Sequence, residues 1–359
     1  VPLSIASILS YLKNEPGYGS EFECDHMSIN MLESRFDEKD YNSFLPDIQL
    51  MRYDFIAISS FIWNEHLINP FIRFLRSSGF EKKIVLGGSQ VTYANRDQLK
   101  LEYPEADIFI SGYAEKSFAE VLKAENSHQT FFNEMPDFEK IPSSYLNKEM
   151  NINRSQEMIR WETKRGCPFK CSFCAHRNLE NGKVHYLHLD KVFAELDLFK
   201  QKEVKKVNVL DPIFNMGSDY PLVLKEIDRL NFRNTTFSLQ TKMELLSKKD
   251  GYEFLDMVER NNMHLEFGIQ TLIPEEYKVI KRANNVDIIA KHLPVLRDRN
   301  ISYETSLIYG LPNQTPDSFQ KSIDLLRNAG CKNITAWPLM LLKGTELYAE
   351  RQKWNLKEE

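Results

Sequence analysis

Three of the five cysteines lie within eight residues, in Arg165-Gly166-Cys167-Pro168-Phe169-Lys170-Cys171-Ser172-Phe173-Cys174. Thiolates are soft ligands that suit iron–sulfur clusters or zinc. An ordinary cluster takes four cysteines, so three around a cube leave one iron with an open coordination position. A metal centre that binds and activates a substrate needs such a position. One alternative is zinc, with His176 completing a Cys₃His set. Another is three buried cysteines without a metal. An odd, clustered set is no disulfide framework; it predicts a reducing compartment, hence the cytoplasm. Cys24 and Cys331 are isolated and carry no assigned chemistry. No Ser-His-Asp set or phosphate loop stands out.

Elements on both sides must position this segment. Upstream, Leu3 to Lys13 is a helical apolar stripe. Short apolar runs at Phe55–Ser59, Lys83–Leu86 and Asp107–Ser111 suit buried parallel strands, with helices at Glu65–Arg76 and Glu115–Lys123. This is the pattern of an open α/β sheet, whose ligands bind beyond the carboxyl ends of the strands. Glu125 to Gln156 is polar, contains Pro136 and Pro142, and reads as a linker. Downstream, six strands are expected at Met158–Lys164, Val204–Leu210, Thr235–Gln240, His264–Gln270, Ser302–Tyr309 and Asn333–Leu339. Amphipathic helices such as Leu189–Lys200 and Pro316–Asn328 fall between them. Six β/α units in series predict a partial (β/α)₆ barrel, and the cysteines follow its first strand, where barrel active sites lie.

Composition narrows the classes. Of 359 residues, 42% are hydrophobic and 27% charged, ordinary for a globular protein with ample core. A net charge of −5 with scattered Lys and Arg argues against nucleic acid, and the Lys202–Lys206 run reads as a solvated helix end. No apolar run is long enough to span a bilayer, so no membrane partner is expected. The numbering opens at Val1 rather than Met, which predicts a start inside a longer protein.

Cys-x-x-x-Cys-x-x-Cys with an aromatic before the last cysteine, opening a (β/α) barrel, resembles the radical S-adenosylmethionine superfamily. The resemblance implies a [4Fe–4S] cluster on Cys167, Cys171 and Cys174, whose free iron chelates S-adenosylmethionine. One electron then cleaves the sulfonium and releases a 5′-deoxyadenosyl radical. It places Phe173 near the adenine. Phe267-Gly268-Ile269-Gln270 and Leu307-Ile308-Tyr309-Gly310-Leu311-Pro312-Asn313-Gln314-Thr315 are similar to strands of the oxygen-independent coproporphyrinogen oxidase branch. Arg282 follows Gln270 by twelve residues as in that branch, so Gln270 and Arg282 are implied S-adenosylmethionine contacts. Departures occur at Gln240, where the branch has Glu, at Ser306, where it has Asp, and at Asp211-Pro212-Ile213-Phe214, which replaces a Gly-Gly-Glu-like turn. Asp211, Gln240 and Ser306 are the residues that stand at the implied ribose positions.

Trp63-Asn64, Val85-Leu86-Gly87-Gly88-Ser89-Gln90-Val91 and Ser111-Gly112-Tyr113-Ala114-Glu115 look like the cobalamin-binding domains that precede the cluster motif in many radical enzymes, and Ile141–Leu146 is similar to their linker. Glycine at strand ends lets backbone approach a ligand closely. The resemblance makes cobalamin a candidate cofactor, with Ser59, Trp63, Gly87, Gly88, Gln90 and Gly112 as contacts. The Asp-x-His-x-x-Gly signature is absent, the Gly-Gly-Pro-Glu turn reads Gly-Gly-Ser-Gln, and the strand expected before Leu3 is missing; a retained fold without the cofactor competes.

The expected organisation is therefore a cobalamin-binding-like α/β domain over 1–125, a linker over 126–156 and a radical S-adenosylmethionine barrel over 157–359. The expected activity modifies an unactivated carbon of a small molecule or peptide, by methyl transfer if cobalamin is bound. Without cobalamin it becomes oxidation, epimerisation, rearrangement or bond formation. An electron donor such as flavodoxin or ferredoxin is implied. The reading from another class is a zinc-stabilised binding protein without catalysis. His185 and His188 are expected in loop or capping roles, Trp337 as a core aromatic with cavity lining as the alternative, and Tyr303 and Tyr309 as barrel filling.

Overall fold

The computed structural model describes residues 1–28, 41, 50–124, 128–176, 182–282 and 284–357, which divide into two compact units. The first comprises Val1–Asp137 with Leu342–Gly344. Its strands β1 (Phe55–Ser59), β2 (Lys83–Gly87), β3 (Ile108–Ile110) and β4 (Phe131–Phe132) form a parallel sheet in that order. Ile72, Leu75, Ile84, Leu86 and Phe109 are buried together on it. The helix Leu3–Lys13 forms as its apolar stripe predicts, and its Ser7 hydroxyl donates to Glu115 at 2.6 Å. Strand β4 falls inside the stretch read as linker. Its two phenylalanines are flanked by polar residues, so the run is too short to show periodicity, yet it completes the sheet by pairing with β3.

The second unit comprises Phe138–Leu341 and Thr345–Glu359. It opens with β5 (Ile159–Trp161), followed by β6 (Lys164–Arg165) and β7 (His185–Tyr186). Then come β8 (Lys206–Val209), β9 (Thr236–Thr241), β10 (His264–Gln270), β11 (Ser302–Tyr309) and β12 (Ile334–Pro338). The six strands β5 and β8 to β12 are parallel and adjacent in chain order, with β5 and β12 at the two edges, and helices lie between them in the chain. This is the expected partial (β/α)₆ arrangement. Along β10 burial alternates strictly: Leu265, Phe267 and Ile269 are buried, while His264, Glu266, Gly268 and Gln270 take the opposite face. Pairing of Gly268 with Ser306, and of Ser306 with Thr335, carries that face across the sheet.

A buried polar contact ties the Ile141–Leu146 segment to the barrel. Glu195 accepts from Ser143 at 2.5 Å and from the Trp161 indole at 2.7 Å. Trp161 and Glu195 are buried, and Phe199, one turn further along the helix Leu189–Gln201, meets the Trp161 ring edge-on at 5.7 Å. Burial pushes the Glu195 carboxyl above the ordinary glutamate value.

Antiparallel pairing of Lys164 with Tyr186 and of Arg165 with His185 closes the cysteine segment into a loop. Gly166 stands at the base of that loop with φ of 91°, and a Cβ there would run into the Lys183 carbonyl. Only glycine meets both conditions.

Two outcomes follow for stability. Glu195→Ala should cost about 2–3 kcal/mol in urea unfolding by orphaning two buried donors, and Glu195→Gln much less. As the pH rises above the ordinary glutamate range, the balance should move in favour of the Gln variant, because the wild type must then bury a charge. Gly166→Ala should destabilise by about 1–3 kcal/mol, through left-handed backbone and the carbonyl clash.

Candidate functional site

The loop that carries the three thiols is held by bonds from Ser172 to residues remote in sequence. The Ser172 amide donates to the Ile280 carbonyl at 2.8 Å and its hydroxyl to Val279 at 3.2 Å. This pins the loop between Cys171 and Phe173. Cys171 is buried and Cys167 and Cys174 are half-buried. Burial raises the Cys167 thiol above its ordinary value, opposed by the backbone N–H of Phe169 and by the charges of Arg282 and Lys242. Burial likewise pushes Cys174 up to about 11, opposed by the His176 N–H, and each of these two thiols is also raised by its cysteine neighbours. The thiols therefore lie within one another's electrostatic reach. Among the described residues, no three His, Cys, Asp or Glu side chains converge as one metal ion requires. A cubane spreads its thiolates over separate irons and does not need that convergence, so the donor set fits a cluster. His176 is exposed. Because burial raises the Cys167 and Cys174 thiols, metal binding there must release protons.

The implied S-adenosylmethionine contacts divide. Arg282 and Gln270 meet beside the cysteines. The Arg282 guanidinium donates to the Gly268 carbonyl, and another of its nitrogens lies 3.9 Å from the Cys171 sulfur. Asn284 joins the two: it accepts from Arg282 at 3.0 Å and donates to the carbonyls of Ile269 and Thr271, on either side of Gln270, both at 2.7 Å. Gln270 ends β10 at a register shift with φ of 64°, unusual for a side chain larger than glycine, and its side-chain oxygen is buried without a partner. A buried acceptor left open is what a bound ligand's amine or hydroxyl would satisfy. Ser306 is half-buried, level with Gly268 on the same face, and Gln240 is exposed near the end of β9. Phe173 is half-buried in the cysteine loop.

Asp211 has different partners from those implied. Its carboxylate is fully buried and accepts from the Thr163 amide at 2.7 Å, the Thr163 hydroxyl at 2.5 Å and the Lys164 amide at 3.2 Å. With its oxygens taken by the backbone that leads into the cysteine loop, it holds that loop rather than a ribose. Burial raises its carboxyl above the ordinary value.

The two coproporphyrinogen-oxidase-like segments meet at buried Glu276. It accepts from Thr271 at 2.5 Å, from Gln314 at 3.1 Å and from Ser318. Gln314 also accepts from the Gly310 amide at 2.7 Å, folding the turn after β11. Sequence reading missed Lys242, the first residue past β9. It is buried, pairs with Glu244 at 3.1 Å, and lies over the Phe169 ring at 4.8 Å. Its signal was position alone, since residues at the carboxyl ends of barrel strands face the site. Trp337, expected as a core aromatic, is 59% exposed. His188 caps the helix Leu189–Gln201, as expected.

In the first unit, Ser59, Gly87, Gly88, Gln90 and Gly112 gather at the carboxyl ends of β1 to β3. Ser60 donates to Gly87 at 2.8 Å, Gln90 donates to Ser60 at 3.2 Å, and Gly112 donates to Thr92 at 3.1 Å. Gly88 has φ of 97°, and a Cβ there would strike Ser60 backbone. Gln90 is buried and donates to Glu65, which also receives Lys343 and, at 3.3 Å, Tyr103. Those two residues are thus accounted for by packing. Trp63 is different: it is 63% exposed and stacks on Phe61 at 4.7 Å. An exposed indole stacked on the half-buried Phe61 ring just past a parallel strand fits a planar macrocycle.

Residues 161–326 match the Radical SAM superfamily. The chain is 20% identical over 329 residues to a 2-(S-pantetheinyl)-carbapenam-3-carboxylate methyltransferase of Streptantibioticus cattleyicolor, covering 77% of this chain and 45% of that protein. It is 26% identical over 205 residues to an oxygen-independent coproporphyrinogen III oxidase of Helicobacter pylori, covering 54% and 44%. The chain thus spans about half the length of the curated relatives it matches. Among solved structures, the radical S-adenosylmethionine methyltransferase TsrM from Kitasatospora setae, with cobalamin and a [4Fe-4S] cluster bound, superposes with a TM-score of 0.71 at 13% identity, covering 98% of this chain and 72% of that one. That likeness extends the shared fold over both units. No helix of the described residues is long and apolar enough to cross a membrane. Residues 161–326, which hold Cys167, Cys171 and Cys174, are thus similar to the Radical SAM superfamily.

Proposed function

We propose that this chain is a radical S-adenosylmethionine enzyme acting on an unactivated carbon of a small molecule or peptide. A [4Fe–4S] cluster on Cys167, Cys171 and Cys174 would supply reductive cleavage of S-adenosylmethionine and the radical chemistry that follows. One observation carries the reading: three thiols lie within electrostatic reach of one another and of the Arg282 guanidinium, which holds the Gly268 carbonyl two residues before the unsatisfied, buried Gln270 oxygen. The residues divide the work. The thiols bind. Arg282 and Lys242 place positive charge against an anionic centre and against a ligand carboxylate. The Gln270 oxygen accepts from an amine or hydroxyl. Ser306 and Gln240 offer further polar contacts from the same side of the sheet, and Phe173 packs against a flat ring. Electrons come from a flavodoxin or ferredoxin, and the site of action is the cytoplasm.

Methyl transfer is the reaction we favour where cobalamin is bound. The exposed Trp63, stacked on Phe61, and the similarity to methyltransferases support it. The packing roles of Gly88 and Gln90 support the second reading, a cobalamin-independent oxidation, epimerisation, rearrangement or bond-forming reaction.

Anaerobic reconstitution should give a brown protein with about four irons per chain, and replacing any one of the three cysteines by alanine should abolish it. With a strong reductant, S-adenosylmethionine should be consumed, and Arg282→Ala should weaken its binding about tenfold or more. A colourless protein with one zinc, or an intact sulfonium after reduction, would overturn the proposal. Purification with cobalamin supplied should leave a corrin absorbance that Trp63→Ala reduces several-fold; its absence selects the cobalamin-independent reading.

A further inference from the structure

We infer that Lys164 is a positioning residue for Lys242, acting through the backbone on either side of Asn215. Lys164 is buried on β6, and its ammonium donates to the Phe214 carbonyl at 2.7 Å and to the Met216 carbonyl at 2.6 Å. It also lies 5.5 Å from the Phe214 ring and 5.9 Å from that of Tyr220. The residue between those carbonyls is Asn215, itself buried. Both ends of its amide are spent on Lys242: the nitrogen donates to the Lys242 carbonyl at 3.1 Å, and the oxygen accepts the Lys242 amide at 3.0 Å. The Phe214 amide adds a 2.7 Å bond to the Gln240 carbonyl.

An ammonium suits this place because it carries three donors and no acceptor, so it can hold two carbonyls at once. Burying that charge needs compensation. Asp211, while accepting the Lys164 amide, and Asp219 offset part of the burial, which still lowers the pKa of the Lys164 ammonium to about 8. The two segments therefore clamp each other in both directions, Asp211 onto the backbone before the cysteines and Lys164 onto the backbone after Asp211. The circuit leaves β6 ahead of Cys167, passes through Asn215 to Lys242, and returns through the Lys242 ammonium to the Phe169 ring inside the cysteine loop. Lys164 touches no cysteine in this circuit; its effect is on where Lys242 stands. What Lys242 does there rests on the proposed function, whereas the positioning itself does not.

The test uses the full chain in two states. In the protein without reconstitution, hydrogen exchange of the Lys242 amide should quicken about tenfold or more in Lys164→Met, with amides of the helix Leu189–Gln201 unchanged. Asn215→Ala should do the same, and the double variant should exchange no faster than Asn215→Ala alone, because both act on one bond. A wild-type rate at Lys242 in Lys164→Met, or effects that multiply in the double variant, would overturn the inference. Should Lys164→Met unfold, Lys164→Gln is judged by the same two criteria. In the reconstituted protein, Lys164→Met and Lys242→Met should weaken S-adenosylmethionine binding in the same direction without adding; independent losses would count against the relay. A chain that takes up no cluster would refute the proposed function, yet the exchange measurement would still decide this point.

Discussion

The site depends on the buried Asp211 carboxylate gripping the backbone of Thr163 and Lys164. The cysteine loop begins immediately after those residues, and its ends are also joined by the short β6–β7 ladder, by the Leu187 amide bonded to the Thr163 carbonyl at 3.0 Å and by the close approach at Gly166. A loop of this length pays a large ordering cost unless its base is fixed. A buried carboxylate bonded to two amides and a hydroxyl supplies a fixed base. Movement of Asp211 would shift Cys167 together with strand β6 ahead of it. Because Lys164 reaches back to the residues after Asp211, the anchor is held from both sides.

Much of the architecture was legible in the sequence. The six barrel strands and the helix Leu3–Lys13 carry clear apolar periodicity, because each buries one face against the layer of helices or sheet beside it. Strand β4 was not legible. Two phenylalanines in a polar stretch show no period, and only pairing with β3 makes them a strand. The cysteines were legible from spacing, and Gln270 and Arg282 from resemblance. Asp211 was legible as a residue of the site but not in its partners, since neither spacing nor resemblance says which backbone amides a carboxylate will find. Lys164, Asn215, Asn284 and Lys242 were missed for the same reason: they act through hydrogen bonds to main-chain carbonyls and amides remote in sequence.

The two units differ in how their distinctive residues are explained. In the barrel, residues singled out by motif remain with open chemistry, most plainly the unsatisfied Gln270 oxygen on a left-handed backbone. In the leading unit, Gly88 and Gln90 are consumed by the fold itself, one by a close approach to Ser60 and the other by Glu65. A glycine pair after a strand is thus ambiguous by nature. The same absence of Cβ serves a tight turn or a ligand, and the neighbours decide between them.

Strand β12 forms one margin of the barrel sheet, and its sequence, Ile334-Thr335-Ala336-Trp337-Pro338, is rich in residues that favour pairing. Such a margin is a template for adding a foreign strand. Pro338 works against that outcome: it has no N–H to offer an incoming chain, and its ring interrupts any continuous ladder at the end nearest the exposed Trp337. The molecule thereby keeps an accessible aromatic at the margin of its barrel sheet while denying neighbouring molecules the backbone they would need to stack into fibres.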